Sequence, residues 1–173
     1  YQKQGIGRKL MEFVESYFPE AAKYQLCTGS KSIRNINFYQ KLGFRITGED
    51  KDGSVTIVHM EKSFAMNFAQ DWIGAWNSHD LAKVLSHYSD DFEMTSPMIA
   101  KVTGNSCGVL KGKEAVGDYW AKALEMIPDL HFELMTVCVG VNSITIQYRG
   151  IGGRIAVEVF SFGPERKVIK AHA

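Results

Sequence analysis

The sequence predicts an α+β chain built from two unlike pieces in tandem, and three observations carry that expectation. Residues 1–62 alternate helix, strand, helix, strand, strand. Residues 63–173 put helical patterns first and strand-like runs afterwards, the α+β order. The change falls near Lys62 to Ala65, and 173 residues are enough for two small domains.

In the first piece Leu10, Met11, Phe13, Val14 and Tyr17 or Phe18 follow helical spacing from about Gly7 to Tyr17, with Pro19 just beyond. Tyr24 to Thr28 reads as a short strand. Ser32 suits the N-cap of a second helix through Lys41, and Gly43 suits its end. Arg45 to Glu49 and Val55 to Glu61 alternate like paired strands about an Asp52-Gly53 turn.

In the second piece Ser63 caps a long helix with Phe64, Phe68, Trp72 and Trp76 four apart. Asn77 to Asp80 breaks it, and Asp80 caps a second helix through Tyr88. Phe92 to Ser96 is a strand ended by Pro97, and the Gly-rich residues 103–112 read as a loop. A third helix buries Ala115, Val116, Tyr119, Trp120, Ala123 and Leu124 and stops at Pro128-Asp129. Strands follow at His131 to Val139, Ser143 to Arg149, Arg154 to Phe162 and Lys167 to His172, with glycines between the first three.

Composition excludes several classes. With 20 basic and 19 acidic residues, the net charge of +1 gives no footprint for nucleic acid. No run of about 18 apolar residues suggests a membrane span, and the N-terminus does not read as a signal peptide. Cys27, Cys107 and Cys138 are far apart and odd in number, which fits reduced thiols in the cytoplasm rather than a disulfide framework or a metal site. The chain starts without Met and in mid-motif, so a truncated gene product is expected.

Gln2-Lys3-Gln4-Gly5-Ile6-Gly7 precedes the first helix. Two glycines there allow a sharp turn, and the bare N–H groups of a helix start attract an anion such as a pyrophosphate. Further on stands Asn37-Phe38-Tyr39-Gln40-Lys41-Leu42-Gly43-Phe44. The ordered pair of motifs resembles the GNAT acetyltransferases over residues 1–62. The resemblance implies acetyl-CoA as cofactor, bound through Gln2, Gln4, Gly5, Ile6, Gly7 and Arg8. It also implies Tyr39 as the general acid that protonates the departing thiolate, a phenol and a thiol being close in basicity. Ser32 stands where the family often has Asn, and Asn35 where a small residue is usual. The strands that precede the Gly-rich loop in the family have no counterpart, so no appreciable acetyl transfer is expected of the chain alone.

Residues 63–173 resemble the SnoaL-like group of the nuclear-transport-factor-like superfamily. The residues that carry this are Trp76 to Leu81, Tyr88 to Phe92, Lys111 to Val116, Phe160 to Phe162 and Lys167 to Ile169. The implied fold is a curved antiparallel sheet around three helices, with a pocket in the cone. Matched onto the isomerases of the superfamily, Trp72 falls at an oxyanion-hole Tyr, Ser96 at the base and Glu158 at a late acid. A Trp only donates and a Ser is no base unaided, so steroid-type isomerisation is not expected. Trp72, Ser96, Tyr119, Glu158 and His172 are the candidate pocket residues, with His131 and Gln147 as further polar candidates. Glu158, in Ala156-Val157-Glu158-Val159-Phe160, either faces in with a raised pKa or stands outward in solvent. His79 and His87 read as surface residues, and the aromatics on the first and third helices as core.

Two readings of function remain beside that of a gene fragment with no activity of its own. One is an incomplete GNAT-type acyl-CoA-dependent N-acyltransferase segment joined to a small-molecule-binding domain. The other is a SnoaL-like binding module or lyase/cyclase with a vestigial first segment. A small-molecule ligand, a homodimer and no metal are expected with either.

Overall fold

The computed structural model describes residues 5–18, 21–104 and 106–173. Its chain divides into two compact units, residues 1–67 and 68–173. Gln2 and Gln4 lie outside the described residues.

In the first unit α1 (Ile6–Tyr17) is followed by β1 (Lys23–Gly29), α2 (Ile33–Gln40), β2 (Arg45–Asp52) and β3 (Val55–Ser63). The sheet runs β1-β3-β2 and is antiparallel, with Lys23 opposite Ser63 and Asp52 opposite Val55. Ile36, Phe44, Val58 and Met60 form its core, packed by Met11, Tyr24, Leu26, Tyr39 and Leu42. Lys62 pairs with Glu15 at 2.8 Å, and the Tyr24 hydroxyl donates to the Phe18 carbonyl at 2.7 Å. Gly43 closes α2 at φ +89°, where a Cβ would stand 2.9 Å from Asn67 Nδ2, so both conformation and space call for glycine. Ser32 occupies the N-cap position of α2 but makes no side-chain cap bond.

The helix α3 (Phe64–Asn77) leads into the second unit. Then come α4 (Leu81–Leu85), β4 (Tyr88–Thr95), α5 (Pro97–Thr103), β5 (Val109–Lys111), α6 (Lys113–Met126), β6 (Glu133–Gly140), β7 (Ser143–Arg149), β8 (Ile155–Phe162) and β9 (Val168–His172). The six strands form a curved sheet in the order β5-β4-β9-β8-β7-β6. All pairs are antiparallel except β4–β9, which is parallel and sets Thr95 beside His172.

Three expectations are corrected. The helix capped by Asp80 ends at Leu85 and not at Tyr88, because Tyr88 opens β4 as a fully buried strand residue. Pro97 ends β4 but also begins α5: the Ser96 hydroxyl accepts from Met98 N at 3.2 Å, and proline suits the first helical turn, where its missing N–H costs nothing. The supposed loop 103–112 contains β5, held to β4 by the Val109–Thr95 and Lys111–Glu93 pairings and flanked by Gly108 and Gly112, both at positive φ.

The core of this unit is aromatic. Trp72 contacts the rings of Trp76, Phe132, Tyr148 and Phe160, and Trp120 contacts those of Trp76, Tyr88 and Phe92. Spacing of four along α3 puts Phe68, Trp72 and Trp76 on one stripe, which the sheet covers.

Candidate functional site

Strand alternation positions the polar group at the centre of the second unit. On β8, Ala156, Glu158 and Phe160 share the inner face; on β7, Ile144, Ile146 and Tyr148 do so. Glu158 lies opposite Ile146, one step diagonal to Tyr148. The Tyr148 hydroxyl donates to Glu158 Oε2 at 3.4 Å, and Glu158 is only 4% exposed.

These inner faces close a cavity of about 570 Å³. Trp72, Trp76, Met94, Ser96, Tyr119, Trp120, Phe132, Tyr148, Ala156 and Glu158 are among the residues that line it. Toward the mouth stand Met98, Met126, Ile151 and Arg154, all exposed. Arg154 follows the short 3-10 turn Ile151–Gly153, in which Gly152 and Gly153 take positive φ.

Electrostatics follow from burial. An apolar surrounding penalises the charged carboxylate, and the Glu158 pKa is pushed up to about 8, with the Tyr148 hydrogen bond opposing the shift in part. Burial raises the phenols of Tyr88, Tyr119 and Tyr148, and the Glu158 charge adds to each. Near neutral pH the interior therefore holds a protonated acid among neutral phenols. Below pH 8 Glu158 can donate a proton; above it, the carboxylate can accept one. Trp76 Nε1 is buried with no acceptor among the described residues.

Of the sequence candidates, Trp72, Ser96, Tyr119 and Glu158 all line this one cavity. Trp72 is not a free donor there, since its Nε1 bonds the Tyr88 hydroxyl at 2.9 Å. Ser96 spends its oxygen on capping α5, and its hydrogen bonding with Tyr119 works against the rise of that phenol. His172 stands exposed on β9 and does not line the cavity, because Ala171 takes the inward position in the alternation. His131 is exposed, and neither it nor Gln147 lines the cavity. His87 is half-buried rather than a surface residue, against the edge of Phe68, and desolvation lowers its pKa. Sequence reasoning missed Tyr148 and Arg154, although the period of two in Ile144, Ile146 and Tyr148 places the phenol beside Glu158.

In the first unit Gly5 precedes α1 at φ +72°, and nothing among the described residues lies within 4 Å of where its Cβ would be. Gly5, Ile6, Gly7 and Arg8 are all exposed, so an open helix start is offered to solvent. Gly7 has a packing role besides, because a Cβ there would come within 3.1 Å of the Phe38 ring. Tyr39 is half-buried, between the rings of Phe38 and Phe44 at 5.2 and 5.7 Å. A shallow depression of about 550 Å³ on α2 is lined by Ile33, Arg34, Asn37, Phe38 and Lys41 and includes neither Tyr39 nor the Gly5–Arg8 turn.

Among the described residues no His, Cys, Asp and Glu side chains gather in a group that could hold a metal ion, and no helix is long and apolar enough to cross a membrane.

Residues 69–168 match the family model described as a SnoaL-like domain, and residues 1–46 match that of an acetyltransferase (GNAT) domain. A SnoaL-like protein of unknown function from Burkholderia thailandensis E264 is 58% identical, with a TM-score of 0.61 over 63% of this chain and 91% of that one. An uncharacterized cystatin-fold protein from Novosphingobium aromaticivorans is 19% identical, with a TM-score of 0.50 over 62% of this chain and 95% of that one, and shares the fold. None of the curated proteins matches the chain.

Proposed function

This chain belongs to the SnoaL-like domain family, and on that premise we propose that its second unit binds a compact, largely apolar small molecule and performs lyase- or cyclase-type acid–base chemistry on it. The observation that carries this reading is Glu158: a buried carboxyl at a ligand-sized cavity, tuned to titrate near 8. A carboxyl held there serves as general acid in its protonated form and as general base once ionised. The Tyr148 hydroxyl holds one of its oxygens. Tyr119 adds a donor for a substrate carbonyl or hydroxyl, and the aromatic walls exclude water.

The test is proton exchange. The chain is incubated in deuterated water with a panel of cyclic 1,3-diketones and enones, and deuterium incorporation next to the carbonyl is followed by NMR. Exchange is expected to rise as pH approaches 8 and to fall by roughly 10²–10⁴-fold in Glu158→Gln. A Gln variant that exchanges at the unsubstituted rate, or a panel that shows no exchange above background, contradicts the reading.

For the first unit the reading is a coenzyme A-binding segment of GNAT type. Its support is the open, left-handed Gly5 at the start of a twelve-residue helix. In that reading the backbone amides of Gly5 to Arg8 hold the pyrophosphate of acetyl-CoA, and Tyr39 returns the proton to the thiolate. Coenzyme A binding by calorimetry, weakened in Gly5→Ala, is expected. Equal binding by that variant contradicts it.

A further inference from the structure

We propose that the ligand of the second unit's cavity is an amphipathic anion, with its apolar body inside and its carboxylate or sulfonate at the mouth against Arg154. This rests on the reading of the cavity as the ligand site.

The cavity separates its charges by depth. Among the described residues Glu158 is the one acidic side chain in the lining and lies buried within it; Arg154 is the one basic side chain and is exposed. The guanidinium of Arg154 makes no ion pair among the described residues, unlike Arg149 one turn earlier, which pairs with Glu133 at 3.3 Å. An anion pushed inward meets the apolar walls of Trp72, Trp76 and Phe132 and loses its water there, a placement that desolvation opposes. At the mouth the same group keeps its water and gains a planar, two-pronged donor. Met98 and Met126, exposed in the same lining, are long and unbranched, so they can adapt to the ring system that passes. Shape and charge thus fix an orientation: ring first, anion last. A cationic ligand is disfavoured by Arg154, and a neutral one makes no use of it.

Two fluorescent probes of similar shape separate the possibilities: 8-anilinonaphthalene-1-sulfonate, an anion, and N-phenyl-1-naphthylamine, its neutral counterpart. Both are titrated into the full chain at pH 7 and low salt. Both are expected to bind, and Arg154→Gln is expected to weaken the sulfonate by up to about fivefold and to leave the neutral probe unchanged. Arg154→Glu should weaken the sulfonate further, and added salt should narrow the difference. Arg154 is exposed, so these variants keep the fold. Ala123→Phe, which fills the cavity from α6, locates the probes; Ala156→Leu on the opposite wall does the same if that variant fails to fold. Sulfonate affinity unchanged in both Arg154 variants, with binding lost on filling the cavity, overturns the anion proposal alone. Undiminished binding of both probes after filling overturns the cavity reading itself.

Discussion

In the second unit Phe68, Phe160, Trp72, Trp76 and Trp120 form a continuous series of ring contacts, whereas in the first unit Leu10 and Phe13 of α1 stand 59% and 62% exposed. Both helices carry apolar residues on one stripe. In α3 the stripe faces a sheet; in α1 only Met11 of the named core contacts reaches the packed side. The difference teaches where chemistry can be tuned. A carboxyl changes its pKa when an apolar surrounding removes water from it, and among the described residues the buried carboxyl is Glu158 of the second unit. In the first unit the start of α1 at Gly5 to Arg8 is exposed, and such a helix start presents backbone N–H groups to solvent.

The largest expected effect concerns Glu158. The folded state holds its proton up to about pH 8, whereas the unfolded chain releases it near the ordinary 4.5. Between those values the folded state binds more protons, so stability falls as pH rises, by on the order of 5 kcal/mol once above the folded pKa. Denaturant unfolding of the unsubstituted chain should show this decline between pH 5 and 9, and Glu158→Gln should abolish it and be the more stable form at pH 9. Parallel pH profiles would show that the shell does not close.

Next comes packing. Phe160→Ala, at a position with no exposure, should cost about 4 kcal/mol, while Phe13→Ser should change stability by less than about 0.5 kcal/mol. Chemical denaturation of both variants measures the contrast, and similar costs would remove the distinction between the units.

A smaller effect is expected at Tyr148. Tyr148→Phe removes the hydrogen bond that partly offsets the desolvation of Glu158. It should cost about 1 kcal/mol and raise the Glu158 pKa further. A lowered pKa would show that the hydroxyl does not act on the carboxyl.

How far the sequence made this legible depended on whether local chemistry or long-range pairing decided a feature. Asp80 as a cap, Gly43 at positive φ and the turn at Gly53 are local, and the structure has them where the sequence placed them. Ser96-Pro97 is local too, but one dipeptide both ends a strand and starts a helix, and only the ending was read. Tyr88 follows the helical pattern of its neighbours, yet the parallel pairing of β4 with β9, about eighty residues on, draws it into a strand. For Glu158 the sequence allows both inward and outward, because alternation gives two faces without saying which is covered. What decides it is Phe160 on the same face, packed on Phe68 and Trp72 of α3. His172 is a polar candidate for the pocket from its place on the last strand, but Ala171 holds the inward step beside it.

The most direct test of the account is the titration of one carboxyl group. The side-chain carboxyl carbon of Glu158, assigned by its loss in Glu158→Gln, can be followed by 13C NMR from pH 4 to 10. The account predicts a single transition with its midpoint near pH 8. A midpoint near the ordinary glutamate value, about 4.3, would contradict it, because a carboxyl already ionised at neutral pH neither sits in a closed apolar shell nor serves as the acid of the cavity.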